Sequence, residues 1–120
     1  MNSFDVVYIE DDEMAAELFT IGLSKKGLTV LHVPDVRLEQ MDYLLTEDFV
    51  NAKAVFFDYM IGATNGVEVA RLLREMGDAR PFFLLTAGNN PDPRLLQQLN
   101  MCYLPKPVNY NQLAVELAAL

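Results

Sequence analysis

Five short apolar runs punctuate the chain, and each is followed by a segment with helical signals. The runs are Val6 to Ile9, Thr29 to Val33, Ala54 to Phe57, Phe82 to Leu85 and Cys102 to Leu104. Continuous apolar runs of this length suit parallel strands covered on both faces. A strand–helix alternation repeated five times leaves few folds open. It calls for a parallel sheet with helices on both faces, linked by right-handed crossovers, so the fold class is α/β and doubly wound.

The helical segments carry their own start and stop signals. Met14 to Lys26 shows a helical pattern with Met14, Leu18, Ile21 and, at its margin, Gly22 on one side; Lys25, Lys26 and Gly27 close it. Asp35, after Pro34, can cap a helix carrying Val36, Leu38, Met41, Leu44 and Leu45. Asn65 with Glu68 makes an Asn-x-x-Glu helix start. The helix it opens, Val67 to Met76, turns Val67, Ala70, Leu73 and, at its margin, Leu72 inward. Asp92 caps a helix with Pro93 at its first position. That helix ends near Leu99 and is too short to stand without tertiary support. Asn100 is expected in the left-handed conformation that closes it. Asn109 with Gln112 opens a last helix, apolar at Leu113, Val115, Leu117 and Leu120. Pro105 cannot donate to a ladder, so the fifth strand belongs at a sheet edge. Cys102 is expected in the core, as are most methionines, and His32 half-buried on the second strand.

The chain has 120 residues, of which 52% are hydrophobic, and this fits a single domain over 1–120 with a real core. No apolar run approaches a membrane span, and the N-terminus lacks a secretory pattern. The formal net charge of -8 argues against direct binding of nucleic acid or anionic lipid. One cysteine excludes an internal disulfide and suits a reducing cytoplasm.

The stretch VFFDYMIGATNG, Val55 to Gly66, carries the most chemistry. Asp58 follows a buried-type strand directly and precedes a strand-to-helix loop, the place where ligands collect in open α/β sheets. Alone, Asp58 reads as a loop-capping residue. Glu10 and Asp11 follow strand one, however, Thr86 follows strand four and Lys106 follows strand five. The sheet brings all of these to one edge. Carboxylates meeting there repel unless one protonates or a cation neutralises them. An all-oxygen site suits Mg²⁺. Lys106 adds a point charge for phosphate, Thr86 a donor, and Ala87 and Gly88 leave room for a tetrahedral group. Asp58 is then a candidate nucleophile that forms an aspartyl phosphate.

Taken in order, IEDD at Ile9 to Asp12, the D-x7-[DN]-G arrangement from Asp58 to Gly66, LTA at Leu85 to Ala87, and KP at Lys106-Pro107 resemble the receiver domains of two-component response regulators. The resemblance spans nearly the whole chain. It implies a CheY-like, flavodoxin-like sheet in the order 2-1-3-4-5. It also implies that Asp58 is the phosphoacceptor, that Glu10, Asp11, Asp58 and the carbonyl of Met60 hold Mg²⁺ with Asp11 a direct ligand, and that Thr86 and Lys106 contact the phosphate. Tyr103 resembles the aromatic that swings with the threonine. The donor partner implied is a sensor histidine kinase or a histidine phosphotransfer protein. The switched face would comprise helix 4, strand 5 and helix 5, in a protein that is not a turnover enzyme. A receiver-like interaction module that works without phosphorylation is the alternative. Gly62 stands where the family commonly has Pro, and LNMC replaces the usual glycine after helix four. Tyr59 either shields the phosphate or covers the loop. No output partner is named by these residues.

Overall fold

The computed structural model describes residues 4–34, 46–61, 64–88 and 91–120. Its main sheet is built from β1 (Val6–Ile9), β2 (Val30–Val33), β3 (Ala54–Asp58), β6 (Phe82–Thr86) and β7 (Met101–Pro105). These strands are parallel and lie in the order β2-β1-β3-β6-β7. That is the expected 2-1-3-4-5 order once a small antiparallel hairpin, β4 (Met60–Ile61) with β5 (Thr64–Asn65), is set apart. The helices are α1 (Glu13–Ser24), α2 (Glu47–Asn51), α3 (Gly66–Glu75), α4 (Pro93–Gln98) and α5 (Tyr110–Ala118).

The capping residues read from the chain do their work. Asn65 accepts from the Glu68 amide at 3.0 Å, Asp92 from Arg94 at 2.9 Å and Asn109 from Gln112 at 3.1 Å. Asp12, not read as a cap from the chain, also caps α1 and accepts from Met14 at 3.0 Å. Asn100 takes φ 52°, which closes the turn between α4 and β7.

The strands alternate their side chains between two cores. Val7, Ile9, Val55, Phe57, Phe82 and Leu84 pack with α3 through Val67, Ala70 and Leu73, with Phe49 of α2 and with Leu96 of α4. Val6, Tyr8, Ala54, Phe56, Phe83 and Leu85 face α1 and α5. β7 is the edge strand that Pro105 requires.

Several expectations about faces are corrected. The buried stripe of α1 is Ala16, Phe19 and Leu23, whereas Met14, Leu18 and Ile21 are exposed. Phe19 decides this: its ring lies 4.4 Å from that of Tyr8 and 5.1 Å from that of Phe56, and an aromatic side chain buries more area than its neighbours. In α5 the seam is Leu113 and Leu117, spaced one turn apart, and Val115 and Leu120 are exposed. Cys102 is exposed rather than in the core, because it lies on the edge strand. Met101 is buried, but Met14, Met60 and Met76 are exposed. The basic residues Lys25 and Lys26 lie just past α1, with Lys25 as its C-cap. The expected helix from Asp35, with Met41, and the position of Gly62 lie outside the described residues.

Two arginines fasten the amino-terminal end of the sheet. Arg74 of α3 donates to the carbonyls of Leu99 at 2.8 Å, Asp78 at 2.9 Å, Arg80 at 2.8 Å and Asn100 at 3.2 Å. Its guanidinium lies 3.6 Å from the centre of the Phe82 ring. Arg80 donates to the carbonyls of Phe49 and Ala52 and pairs with Asp78 at 2.7 Å.

Candidate functional site

Strand register explains which side chains meet at the opposite, carboxyl-terminal edge. Ile9 is level with Phe57, and Asp58 is level with Leu85. Glu10 therefore emerges level with Asp58. Thr86 is level with Pro105, so Lys106 projects one residue beyond, and its amide donates to the Thr86 carbonyl at 2.9 Å. The two-residue period sends Glu10, Asp58 and Lys106 to the side of α1 and α5, in step with Tyr8, Phe56 and Leu85. Thr86 and Tyr103 follow the parity of Leu84 and fall on the side of α3 and α4.

Three of the expected groups are in direct contact. The Lys106 ammonium pairs with Asp58 Oδ1 and lies 4.0 Å from Glu10 Oε2. The Met60 amide donates to Asp58 Oδ2 at 3.3 Å, so both oxygens of the carboxylate are engaged. Asp58 and Glu10 are buried. Burial pushes the Glu10 carboxyl well above the usual carboxylate range; the Asp12 amide opposes this and the charge of Asp58 adds to it.

The remaining candidates border this centre. Asp11 is exposed beside Glu10, and its carboxyl is close enough to raise the Glu10 pKa further. Met60 turns its side chain outward while its backbone closes the β4–β5 hairpin opposite Asn65. Thr86 is buried at the end of β6, and Tyr103 is partly exposed on β7. Among the described residues no three His, Cys, Asp or Glu side chains form a ready-made metal cage. The oxygens of Glu10, Asp11, Asp58 and the Met60 carbonyl are the groups available to a cation.

Gly66 sets how closely α3 approaches Asp58. A Cβ there would lie under 3.0 Å from the Asp58 carbonyl oxygen, 2.8 Å from Leu84 Cδ1 and 2.9 Å from Phe57 Cβ. The Gly66 amide donates to the Tyr59 carbonyl at 2.8 Å, tying the helix start to the loop after Asp58.

Two contacts to Glu10 escape a reading of the sequence. The buried Tyr8 hydroxyl donates to Glu10 Oε2 at 3.2 Å, and His32 Nε2 lies 2.6 Å from the Glu10 carbonyl oxygen. A carbonyl only accepts, so that nitrogen carries the proton. The signal for Tyr8 was its place two residues before Glu10 on the same strand face. His32 is level with Tyr8 on β2, half-buried as expected.

No family model matches the chain. The response regulator MprA of Mycolicibacterium vanbaalenii is 32% identical over 117 residues, covering 96% of the chain and 49% of the relative. MprA of Mycobacterium bovis is 30% identical over 120 residues, covering 98% and 50%. The chain thus spans about half the length of the curated relatives it matches. Among solved structures, a CheY-like response regulator receiver domain from Methylobacillus flagellatus superposes with a TM-score of 0.79 at 23% identity, covering 98% of both chains. The chemotaxis protein CheY4 of Vibrio cholerae gives a TM-score of 0.78 at 17% identity, also over 98% of both. These likenesses establish the CheY-like flavodoxin fold, and the sequence kinship is with response regulators of two-component signalling. Over nearly its whole length the chain is similar in sequence to response regulators and in fold to their receiver domains.

Proposed function

We propose that Asp58 accepts a phosphoryl group from the phosphohistidine of a sensor histidine kinase or histidine phosphotransfer protein, or from a small acyl phosphate, with Mg²⁺ bound. The observation that carries this is the contact of Asp58 with Lys106 beside Glu10 at the carboxyl edge of the sheet. Asp58 supplies the attacking oxygen. The phosphorus–nitrogen bond of phosphohistidine, or the phosphorus–oxygen bond of the acyl phosphate, breaks as the phosphorus–oxygen bond to Asp58 forms, and the imidazole or carboxylate of the donor leaves with the bonding pair. Lys106 holds Asp58 ready and offers its ammonium to a phosphoryl oxygen. Thr86 offers its hydroxyl to another.

The donor set fits a hard divalent ion, since every available group is an oxygen and Mg²⁺ usually takes few carboxylates, keeping waters and phosphate oxygens. Asp11, Asp58 and the Met60 carbonyl would hold it, with Glu10 beside them. When bound, it neutralises the charge that gathers on carboxylates and phosphoryl group. Phosphorylation adds charge and acceptor oxygens that Thr86 and Lys106 can meet, and this biases the face formed by α4, β7 and α5 through Tyr103. The domain catalyses its own modification without being a turnover enzyme, and it acts in the cytoplasm. No helix among the described residues is long and apolar enough to cross a membrane. An output partner or domain receives the signal, and the domain does not itself bind nucleic acid.

The test is a beryllofluoride titration with Mg²⁺ followed by NMR. Shifts near Asp58 that reach Thr86 and Tyr103, and disappear in Asp58→Asn, are expected. The absence of any response would favour an interaction module that works without phosphorylation.

A further inference from the structure

We infer that the Tyr8 hydroxyl is a positioning group that holds the Glu10 carboxylate for the cation, so that Mg²⁺ affinity depends on a phenol buried in the sheet. This rests on the metal reading proposed above. Tyr8 is 1% exposed and lies on β1 among aromatic neighbours, with Phe19 at 4.4 Å and Phe56 level with it on β3. Packing of that kind is served by a phenyl ring alone. A buried hydroxyl costs stability unless it finds a partner, and the partner here is Glu10 Oε2 at 3.2 Å.

Glu10 is thereby held from two directions. Its Oε1 accepts from the Asp12 amide at 3.0 Å, and Asp12 is itself fixed as the cap of α1. Its Oε2 accepts from a phenol fixed in the strand core. A glutamate side chain has one more rotatable bond than an aspartate, and these two donors remove that freedom. His32 adds a third fixed point, on the Glu10 carbonyl. An ionised carboxylate oxygen can accept about two hydrogen bonds, so one donor to each does not exhaust it. Lys106, 4.0 Å from Oε2, shows that one side of Glu10 opens towards Asp58. Groups that orient metal-site carboxylates typically change metal affinity by about 10–100-fold when removed.

The experiment is a Mg²⁺ titration by calorimetry and NMR on wild type, Tyr8→Phe, Glu10→Gln and the double variant. Tyr8→Phe is expected to raise the Mg²⁺ Kd about tenfold and to shift the Glu10 carboxyl ¹³C resonance in the metal-free protein. In the Glu10→Gln background the same change should alter the Kd by less than about twofold, because the coupling runs through Glu10. Tyr8→Met, which fills the space without a hydroxyl, serves as the second variant and should match Tyr8→Phe. An unchanged Kd in either folded variant overturns the inference, and so does a full loss that persists in the Glu10→Gln background. A wild-type protein that does not bind Mg²⁺ overturns the metal reading itself, and the role of Tyr8 falls with it.

Discussion

Replacing Gly66 with alanine tests how tightly α3 and β3 are seated around Asp58. Ordinary contacts of a β-carbon fall at 3.4–4 Å, whereas here three heavy atoms lie inside 3.0 Å. Two of them, the Asp58 carbonyl oxygen and Phe57 Cβ, belong to the central strand and cannot rotate aside. The helix must therefore lift by about half an ångström, and overpacking of this kind costs roughly 1–3 kcal/mol. Alanine regains up to about 1 kcal/mol of helix propensity, less in a first turn. The net loss expected is about 1–2 kcal/mol. For a domain of this size that lowers the melting midpoint by roughly 3–10 °C. Because the clash is with the carbonyl of Asp58 itself, the carboxylate should also shift against Lys106. A misplacement approaching 1 Å can cost about 100-fold in rate, so phosphorylation by a small acyl phosphate should slow by about tenfold or more. Thermal unfolding and the phosphorylation rate check both parts. A Gly66→Ala variant as stable as wild type, with unshifted amide resonances at Asp58 and Tyr59, would refute the reasoning.

Two further outcomes follow from other contacts. Burial raises the Asp78 carboxyl, but the hydrogen bonds and charge of Arg80 outweigh it and hold its pKa below the ordinary value. The stability this contributes is present above the unfolded carboxylate range, near pH 4, and is lost as pH falls through the lower folded value. Asp78→Asn should therefore flatten the acid limb of stability against pH, and an identical acid limb in urea unfolding at several pH values would count against it. The residues two beyond Asp58 and Thr86 are Met60 and Gly88, neither of which can orient an attacking water through a polar side chain. The phosphorylated protein should lose phosphate slowly, and Met60→Asn should accelerate that loss severalfold; fast loss that Met60→Asn leaves unchanged would overturn this.

What could be read from the chain was whatever a local signal controls. Asn65, Asp92 and Asn109 cap their helices because a short polar side chain can reach an amide two or three residues on, a relation that needs no tertiary partner. The strands and their parallel order were legible because continuous apolar runs separated by helices admit few arrangements. Glu10, Asp58 and Lys106 were legible because each follows a strand end. Choosing the buried stripe of α1 was different. Met14-Leu18-Ile21 and Ala16-Phe19-Leu23 both fit a helical period, and only the aromatic cluster of Tyr8, Phe19 and Phe56 across three elements selects the second. The β4–β5 hairpin was missed because two-residue strands carry no periodicity. Tyr8 was hidden because an aromatic in an apolar strand looks like packing until a carboxylate two residues on is seen to share its face.

The arginine contacts at the far end of the sheet bear on how the domain can deform. Arg74 grips the carbonyls of Leu99 and Asn100 where α4 turns into β7, and it also grips the start of β6. The carboxyl end of α4 is thus riveted to α3. Any shift of α4 along the sheet would have to break the hydrogen bonds at Leu99 and Asn100.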